Sequence, residues 1–228
     1  MNIKILFVSL LLSMTCFTLK AQLGNIEGVG GTVLRETKYE NVEGSPFLFP
    51  TYKAAKIFDR SGGRESVFAK YDSYKENVIV YNDGKPIILD PKVYGAILFD
   101  FIDQVTNENE KILFKNGYNI SGYKATDYFQ VMKDDGRFRF LKKIKTTRVD
   151  NPNASYGGVN QATSRFIRNE TYFILDGSDV LSFNKISKNK ILEMFGDSKN
   201  DSVYLKKNKN SLKSEEDVVS FLKYKENN

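Results

Sequence analysis

Carboxylates are the most reactive side chains that this sequence places close together. Asp134 and Asp135 are adjacent, and Glu108 and Glu110 are two residues apart. A pair of carboxylates can act as general acid and general base, for example in glycoside hydrolysis. Both pairs lie in stretches with the composition of tight turns, where Asp and Asn are favoured because their side chains bond the local backbone. We therefore assign no catalytic residue.

Histidine is absent from the whole chain, and the single cysteine is Cys16. Without histidine, neither a Ser-His-Asp nor a Cys-His mechanism can operate, and a typical zinc site cannot form. Asp197, Asn200 and Asp201 offer oxygen ligands, but not at the spacing of a calcium-binding loop. We assign no metal-binding residue and expect no cofactor. Any chemistry would have to use carboxylates, Lys, Tyr, Ser or Thr, or a metal with oxygen ligands.

A ligand-binding site is predicted around the polar loop of residues 149–164, which carries Pro152 and Gly157-Gly158. Long loops in compact domains are often functional. This loop and the residues just after it combine an amphipathic ring, two amides and two guanidinium groups that can hold an anion. The predicted ligand-binding residues are Tyr156, Asn160, Gln161, Arg165 and Arg168. An ordinary mobile loop is the alternative interpretation.

A run of basic residues is the second candidate site, because it can attract polyanions or an anionic membrane surface. Phe138 and Phe140 alternate with its first members and are expected to point into the core, so they do not form a stacking platform for bases. The predicted anionic-surface patch consists of Arg137, Arg139, Lys142, Lys143, Lys145 and Arg148. The alternative is a solvated strand face.

Three Asp-Gly pairs, at residues 83–84, 135–136 and 176–177, stand between apolar runs and predict β-hairpins. In the first hairpin, a two-residue loop places Asn82 opposite Lys85. Its faces are both apolar, which predicts a central position in a sheet that is covered on each side.

The second hairpin alternates apolar and polar residues, which predicts one buried and one solvent-exposed face. Its expected buried side chains are Phe129, Val131, Phe138 and Phe140. Its expected exposed side chains are Gln130, Met132, Arg137 and Arg139.

The apolar period changes near the C-terminus. Ser187, Asp197 and Ser214 are predicted N-caps of three short helices, the last with a buried stripe that includes Phe221 and Leu222. The predicted fold is mainly β, an antiparallel sandwich or open barrel built from hairpins. A small C-terminal α-helical segment packs on it.

The predicted organisation is a signal peptide (residues 1–21), an antiparallel β domain (residues 22–184) and the C-terminal helical segment (residues 185–228). Lys4 precedes a short apolar run, and Ala21 is a small residue at the expected cleavage point. A retained N-terminal anchor is one alternative. A lipoprotein cleaved before Cys16 is another, although Thr15 is large for the last lipobox position.

Two segments resemble a known family. Residues 42–48 (VEGSPFL) resemble the early motif of a family of exported proteins from Bacteroidota, and the Lys-rich stretch of residues 189–217 resembles its C-terminal tail. The spacing of the hairpins between them also fits. The resemblance implies an exported protein of a bacterium with two membranes. It implies no activity and transfers no site residues.

The net charge of +6 is mild, and the hydrophobic content of 41% is ordinary for a globular protein. The sequence thus predicts an exported, non-enzymatic binding or interaction protein that is periplasmic, outer-membrane-associated or extracellular. We expect its partner to be an envelope protein or glycan, with no nucleic acid and at most peripheral membrane contact. Two alternatives remain: a hydrolase that uses carboxylates, Tyr or Lys, and a membrane-surface protein that salt releases.

Overall fold

The computed structural model describes residues 31–34, 39, 42–82, 84–150, 164–196 and 198–227. The strands are β1 (Gly31–Val33), β2 (Val42–Glu43), β3 (Lys53–Asp59), β4 (Arg64–Asp72), β5 (Asn77–Asn82), β6 (Lys85–Leu89), β7 (Tyr94–Ile102), β8 (Asn109–Lys115), β9 (Phe129–Lys133), β10 (Phe138–Asp150), β11 (Ser164–Asp176) and β12 (Asp179–Phe183). The helices are α1 (Lys188–Phe195), α2 (Lys199–Lys207) and α3 (Glu215–Glu226).

The twelve described strands form one sheet in the order β1-β6-β5-β4-β3-β7-β8-β9-β10-β11-β12, with β2 added alongside β11. The β2–β11 pair is parallel, and the other described pairs are antiparallel. The predicted mainly-β fold with a small C-terminal helical segment is confirmed. The boundary between the two at residue 184 stays a prediction.

The first Asp-Gly hairpin forms as predicted, but it does not lie at the predicted central position in the sheet. Asn82 pairs with Lys85 and Val80 with Ile87, and Gly84 has the positive φ of 77° that the turn requires. However, among the described strands only the three-residue β1 lies beyond β6, so the hairpin is near an edge of the sheet. The outward side of β5 is covered at Ile79, which is 2% exposed, but not at Tyr81, which is 49% exposed.

The second hairpin has an irregularity that its alternation does not predict. Its expected exposed side chains Arg137 and Arg139 are exposed as predicted, whereas Gln130 and Met132 are half-buried. Lys133 pairs with Phe140 and Val131 with Leu141, with an irregularity between Phe140 and Leu141. This shift places Phe129 and Phe138 on opposite faces, since one residue of slip reverses the direction of a side chain. Away from the turn, each face packs against another part of the protein. One carries Phe129, Leu141 and Phe173 beneath Tyr118 and Ile120, and the other carries Phe138, Phe140 and Ile174 beneath the helices.

The helices begin close to the predicted caps. The side chains of Ser187 and Ser214 accept hydrogen bonds from the backbone N–H groups of Lys190 and Asp217. Ser198 caps α2, and the predicted cap Asp197 lies outside the described residues. Of the helices that the structure describes, none has the length and apolar character needed to cross a membrane.

The sheet curls around its largest core. The rings of Tyr71 in β4 and Phe114 in β8 stack with centroids 4.6 Å apart, although three strand spacings of a flat sheet would separate these strands by about 14 Å. The turn after β4 also reaches β10, because the Thr146 N–H donates to the Ser73 carbonyl at 2.8 Å. Residues of β3 to β8 and Ile144 of β10 thus share one core.

A buried ion pair fastens β10 to the turn between β4 and β5. The Lys143 side chain is 2% exposed, and its ammonium lies 2.7 Å from Glu76 Oε1. The ammonium also donates to the Tyr128 carbonyl at 3.1 Å and lies 5.2 Å from the centroid of the Phe129 ring. Glu76 has a positive φ of 59°, which aims its carboxylate back towards β10. It also pairs with Lys145 at 3.2 Å.

Both ends of α3 are fastened to the sheet by carboxylates. Glu215 Oε1 accepts from Lys142 Nζ at 2.8 Å, and Glu226 Oε1 accepts from Lys133 Nζ at 2.8 Å. The Lys133 side chain is 1% exposed, so its ammonium depends for compensation on Glu226, on the Asp135 carboxylate at 3.4 Å and on backbone carbonyls. Between these two anchors, Val218 and Phe221 pack on the strands.

We predict that Glu76→Gln lowers the free energy of unfolding by about 3 kcal/mol, because it leaves the buried Lys143 ammonium without its charge partner. The substitution keeps the shape and the backbone conformation of the turn residue, so it tests the charge alone. Urea unfolding followed by circular dichroism measures the difference. In the control, Glu193→Gln, the exposed pair of Glu193 with Lys190 contributes less than about 0.5 kcal/mol. Equal effects of the two substitutions would contradict the prediction.

We also predict that acid removes the contribution of Glu226. Burial tends to raise the pKa of Glu226, but hydrogen bonds from Lys133 and the Phe138 amide, with the charge of Lys133, bring the pKa below its ordinary value of 4.5. A carboxylate whose pKa is lower in the folded protein stabilises the fold above its unfolded pKa, and loses this contribution as pH falls through the folded pKa.

The corresponding measurement is the stability difference between the wild-type protein and Glu226→Gln from pH 7 to pH 3. We expect the difference to be constant above about pH 5 and to shrink below the ordinary pKa of glutamate. Glu193→Gln serves as the control, with a small difference throughout. A Glu226 difference that stays constant down to pH 3 would refute the assignment.

Candidate functional site

A pocket of about 320 Å³ lies on the outer face of β4 and β5. The outer face is defined by Ser66, Phe68, Lys70 and Asp72, which alternate along β4 with the core residues Ala69 and Tyr71. Lys70 and Asp72 line the pocket from below, together with Ile79 of β5. The segment that follows β2 forms a wall above them.

We call this cavity the aromatic pocket, because four rings, two ammonium groups and one carboxylate line it in the part of the chain that the structure describes. These side chains are Tyr39, Phe47, Tyr52, Phe166, Lys70, Lys75 and Asp72. Its volume is at the lower end of the range of small-molecule sites, which are typically apolar with a few polar groups. The arrangement suits a ligand with a flat apolar body and a polar group.

Hydrogen bonds to the turn after β4 and to β11 hold the wall of the pocket in place. The Pro46 carbonyl accepts from both the N–H and the hydroxyl of Ser73, each at 2.8 Å. The Arg168 guanidinium donates to the Phe47 carbonyl at 2.9 Å. Gly44 has a φ of 85°, which L side chains rarely adopt. The wall is therefore formed before any ligand arrives.

Aromatic contacts define the two ends of the pocket. At one end, the Tyr39 and Phe166 rings meet edge to face with centroids 5.1 Å apart. At the other end, Lys70 Nζ lies 4.9 Å from the centroid of the Phe47 ring and 4.6 Å from that of Tyr52. The Lys70 ammonium therefore stands between two rings at the opening, where it can meet an anionic group.

Two polar groups in the pocket are perturbed by burial. Asp72 is 3% exposed, and burial raises its pKa against the opposing hydrogen bonds from the Lys75 and Tyr74 amides. Burial and the nearby charge of Asp72 raise the pKa of the Tyr39 phenol. The Tyr39 hydroxyl is itself buried and has no hydrogen-bond partner among the described residues. It is a donor that a ligand can satisfy.

The residues predicted to bind a ligand are divided between described and undescribed parts of the chain. Tyr156, Asn160 and Gln161 lie outside the described residues. Arg165 is exposed on β11, directly opposite Val149. Arg168 donates to the wall of the aromatic pocket, so it borders the candidate site as a supporting residue. Binding of a ligand by these five residues stays a prediction.

The structure places the basic run on two faces of the sheet and gives each member a partner. Lys142 faces α3, whereas Lys143 lies in the core on the opposite face. Arg137 binds Asp176 in a two-pronged contact of 2.8 and 2.5 Å. The remaining contacts are Arg139 with Asp134, Lys145 with Glu76, and Arg148 with the Ser164 hydroxyl. An anionic-surface patch stays a prediction, but two of its six members are buried.

None of the described residues that line the aromatic pocket was predicted as a site residue. The wall contains Pro46-Phe47-Leu48-Phe49-Pro50. Because proline cannot donate to a sheet ladder, this sequence predicts an edge segment with both phenylalanines inward. Only Phe49 enters the core, and Phe47 turns to the pocket. Among the described residues, including those of the pocket, no cluster of three or more His, Cys, Asp or Glu side chains is arranged to hold a metal.

Comparison with known proteins adds no relative: the chain matches no family model, no curated protein and no solved structure.

The unpaired hydroxyl of Tyr39 leads to a stability prediction. Tyr39→Phe should leave the free energy of unfolding unchanged within about 0.5 kcal/mol or raise it, because no hydrogen bond is lost. Tyr172→Phe is the matched comparison, since the Tyr172 hydroxyl lies 2.9 Å from Glu170 Oε2 and 3.0 Å from Glu215 Oε1. Loss of the Tyr172 hydroxyl should lower the free energy of unfolding by about 1.5 kcal/mol. Urea unfolding measures both, and a clear cost for Tyr39→Phe would show that its hydroxyl has a partner.

Proposed function

We propose that this chain is an exported, non-enzymatic binding protein of the periplasm or cell surface. In the proposal, the aromatic pocket holds a ligand that has a flat apolar face and an anionic group. The observation that carries the proposal is a preformed pocket in which aromatic rings flank the Lys70 ammonium. Export is the part of the proposal that rests on the N-terminal sequence of residues 1–21.

The electrostatics of the pocket favour an anion. Lys70 forms no ion pair with a carboxylate in the described part of the chain. The Tyr39 hydroxyl supplies a second donor without an acceptor. A carboxylate, sulfonate or phosphate group that accepts from the Lys70 ammonium would form charge-assisted hydrogen bonds, which are stronger than neutral ones. An acceptor atom at the other end of the ligand would satisfy the Tyr39 hydroxyl.

Binding is a better account of this pocket than hydrolysis by paired carboxylates. Among the described residues that line it, Asp72 is the one acidic side chain. Its Oδ1 is occupied by the amides of Tyr74 and Lys75 at 3.0 and 2.8 Å. A two-carboxylate mechanism needs a second acid on the other side of the substrate. The burial of Lys142 and Lys143 likewise argues against attachment to a membrane through the basic run.

An aromatic sulfonate tests the proposal directly. We expect 1-anilinonaphthalene-8-sulfonate to bind the folded protein with one-to-one stoichiometry, as measured by fluorescence titration. Lys70→Met should weaken binding about tenfold, because it removes a charged contact and retains much of the side-chain volume.

The control is Lys188→Met, which removes an exposed lysine at the start of α1 and should leave the affinity unchanged. Equal affinity of the wild-type protein and Lys70→Met would overturn the assignment of the pocket. Equal weakening by both substitutions would indicate attraction by net charge alone and would also overturn it.

A further inference from the structure

The aromatic pocket continues into a line of exposed rings on the outer face. Tyr52, which lines the pocket, has its ring centroid 5.5 Å from that of Tyr81. Tyr81 lies directly opposite Phe68 in the β4–β5 ladder, and Phe68 lies opposite Ala54 of β3. Phe68 is 61% exposed and Tyr81 is 49% exposed. We call this line of three rings the aromatic track.

A second hollow lies at the far end of the track. It has a volume of about 270 Å³, and Ala54, Lys56, Ser66, Phe68 and Asp100 are among the residues that line it. The small side chain of Ala54 leaves the space between Phe68 and Asp100. From Asp72 in the aromatic pocket to Ser66 in the second hollow, the path follows β4 for about 20 Å. A ligand that uses both hollows must therefore be elongated.

The chemistry of the path suits a chain of sugars. Along β4, exposed positions alternate between the hydroxyl of Ser66, the ring of Phe68 and the ammonium of Lys70. A sugar ring presents an apolar C–H face that stacks on an aromatic ring, whose π face is electron-rich, and a rim of hydroxyls that needs polar partners. A lipid or an apolar peptide would prefer a continuous apolar surface, which Ser66, Lys56 and Asp100 interrupt.

The charges along the path indicate that the sugars are acidic. Neither Lys56 nor Lys70 forms an ion pair with a carboxylate in the described residues. Asp100, by contrast, lies 3.8 Å from the Lys111 ammonium. Both ends of the path thus carry a cation without a charge partner. An anionic group at each end of the ligand would complement them.

We infer that the ligand is an acidic oligosaccharide of about four sugars, with one acidic sugar in the aromatic pocket and the next sugars stacked on Tyr81 and Phe68. This inference rests on the proposed function, because the first sugar occupies the pocket assigned there. It adds the class of ligand and a second part of the binding surface.

Isothermal titration with uronic acids tests the inference. The probes are tetrasaccharides of galacturonate, mannuronate and hyaluronan, the matching monosaccharide acids, and the methyl-esterified galacturonate tetramer. We expect at least one tetramer to bind about tenfold more tightly than its monomer, and esterification to weaken binding by a similar factor. Phe68→Ala should weaken binding of the tetramer about tenfold and leave binding of the monomer unchanged, since the monomer does not reach Phe68.

The matched control is Val203→Ala, which truncates a side chain of similar exposure (65%) on α2. This substitution should change neither the affinity for the tetramer nor the affinity for the monomer. A tetramer that binds no more tightly than its monomer, or a Phe68→Ala variant with wild-type affinity, would overturn the inference and leave the pocket assignment intact. Binding of anionic vesicles or of an extended apolar peptide in place of every tetramer would also overturn it. Equal affinity of the wild-type protein and Lys70→Met for the sulfonate would overturn the proposed function as well.

Discussion

The ion pair of Lys143 with Glu76 is the contact on which the curl of the sheet depends. It joins β10 to the turn after β4 across the interior, where two charges are tolerated only as partners. The same turn carries Ser73, which bonds both Thr146 of β10 and the carbonyl of Pro46. A single turn therefore fixes the closure of the core and the wall of the aromatic pocket. The fold and the candidate site share this support.

Local signals in the sequence predicted the elements that local chemistry decides. The Asp-Gly turn set the register of β5 with β6, and Ser187 and Ser214 capped their helices, because each feature involves residues close together in the chain. The second hairpin departed from its pattern at the bulge between Phe140 and Leu141. The helices on one side and the loop before β9 on the other cover both of its faces, and neither covering is visible in the alternation of the strand itself.

The burial of the basic run and the composition of the pocket could not be predicted from the sequence, for a different reason. Lys142 and Lys143 have the composition of an exposed strand, but their partners Glu215 and Glu76 are distant in the chain. Likewise, the pocket gathers β4 and β5 with the segment after β2 and with Phe166 of β11. Only the order of the strands brings these parts together. Sequence patterning gives the face on which a residue lies, and topology decides what that face meets.

Glu76 combines two requirements that few residues meet. Its backbone is in the left-handed region, which costs a non-glycine residue about 1 kcal/mol, while its carboxylate must reach Lys143. Glycine would relieve the backbone but removes the carboxylate. Asparagine and aspartate tolerate this conformation better, but their side chains are shorter by one methylene. Few substitutions at this position would therefore preserve the turn, whereas the exposed outward residues Ser66 and Phe68 of β4 do not contribute to the core behind them.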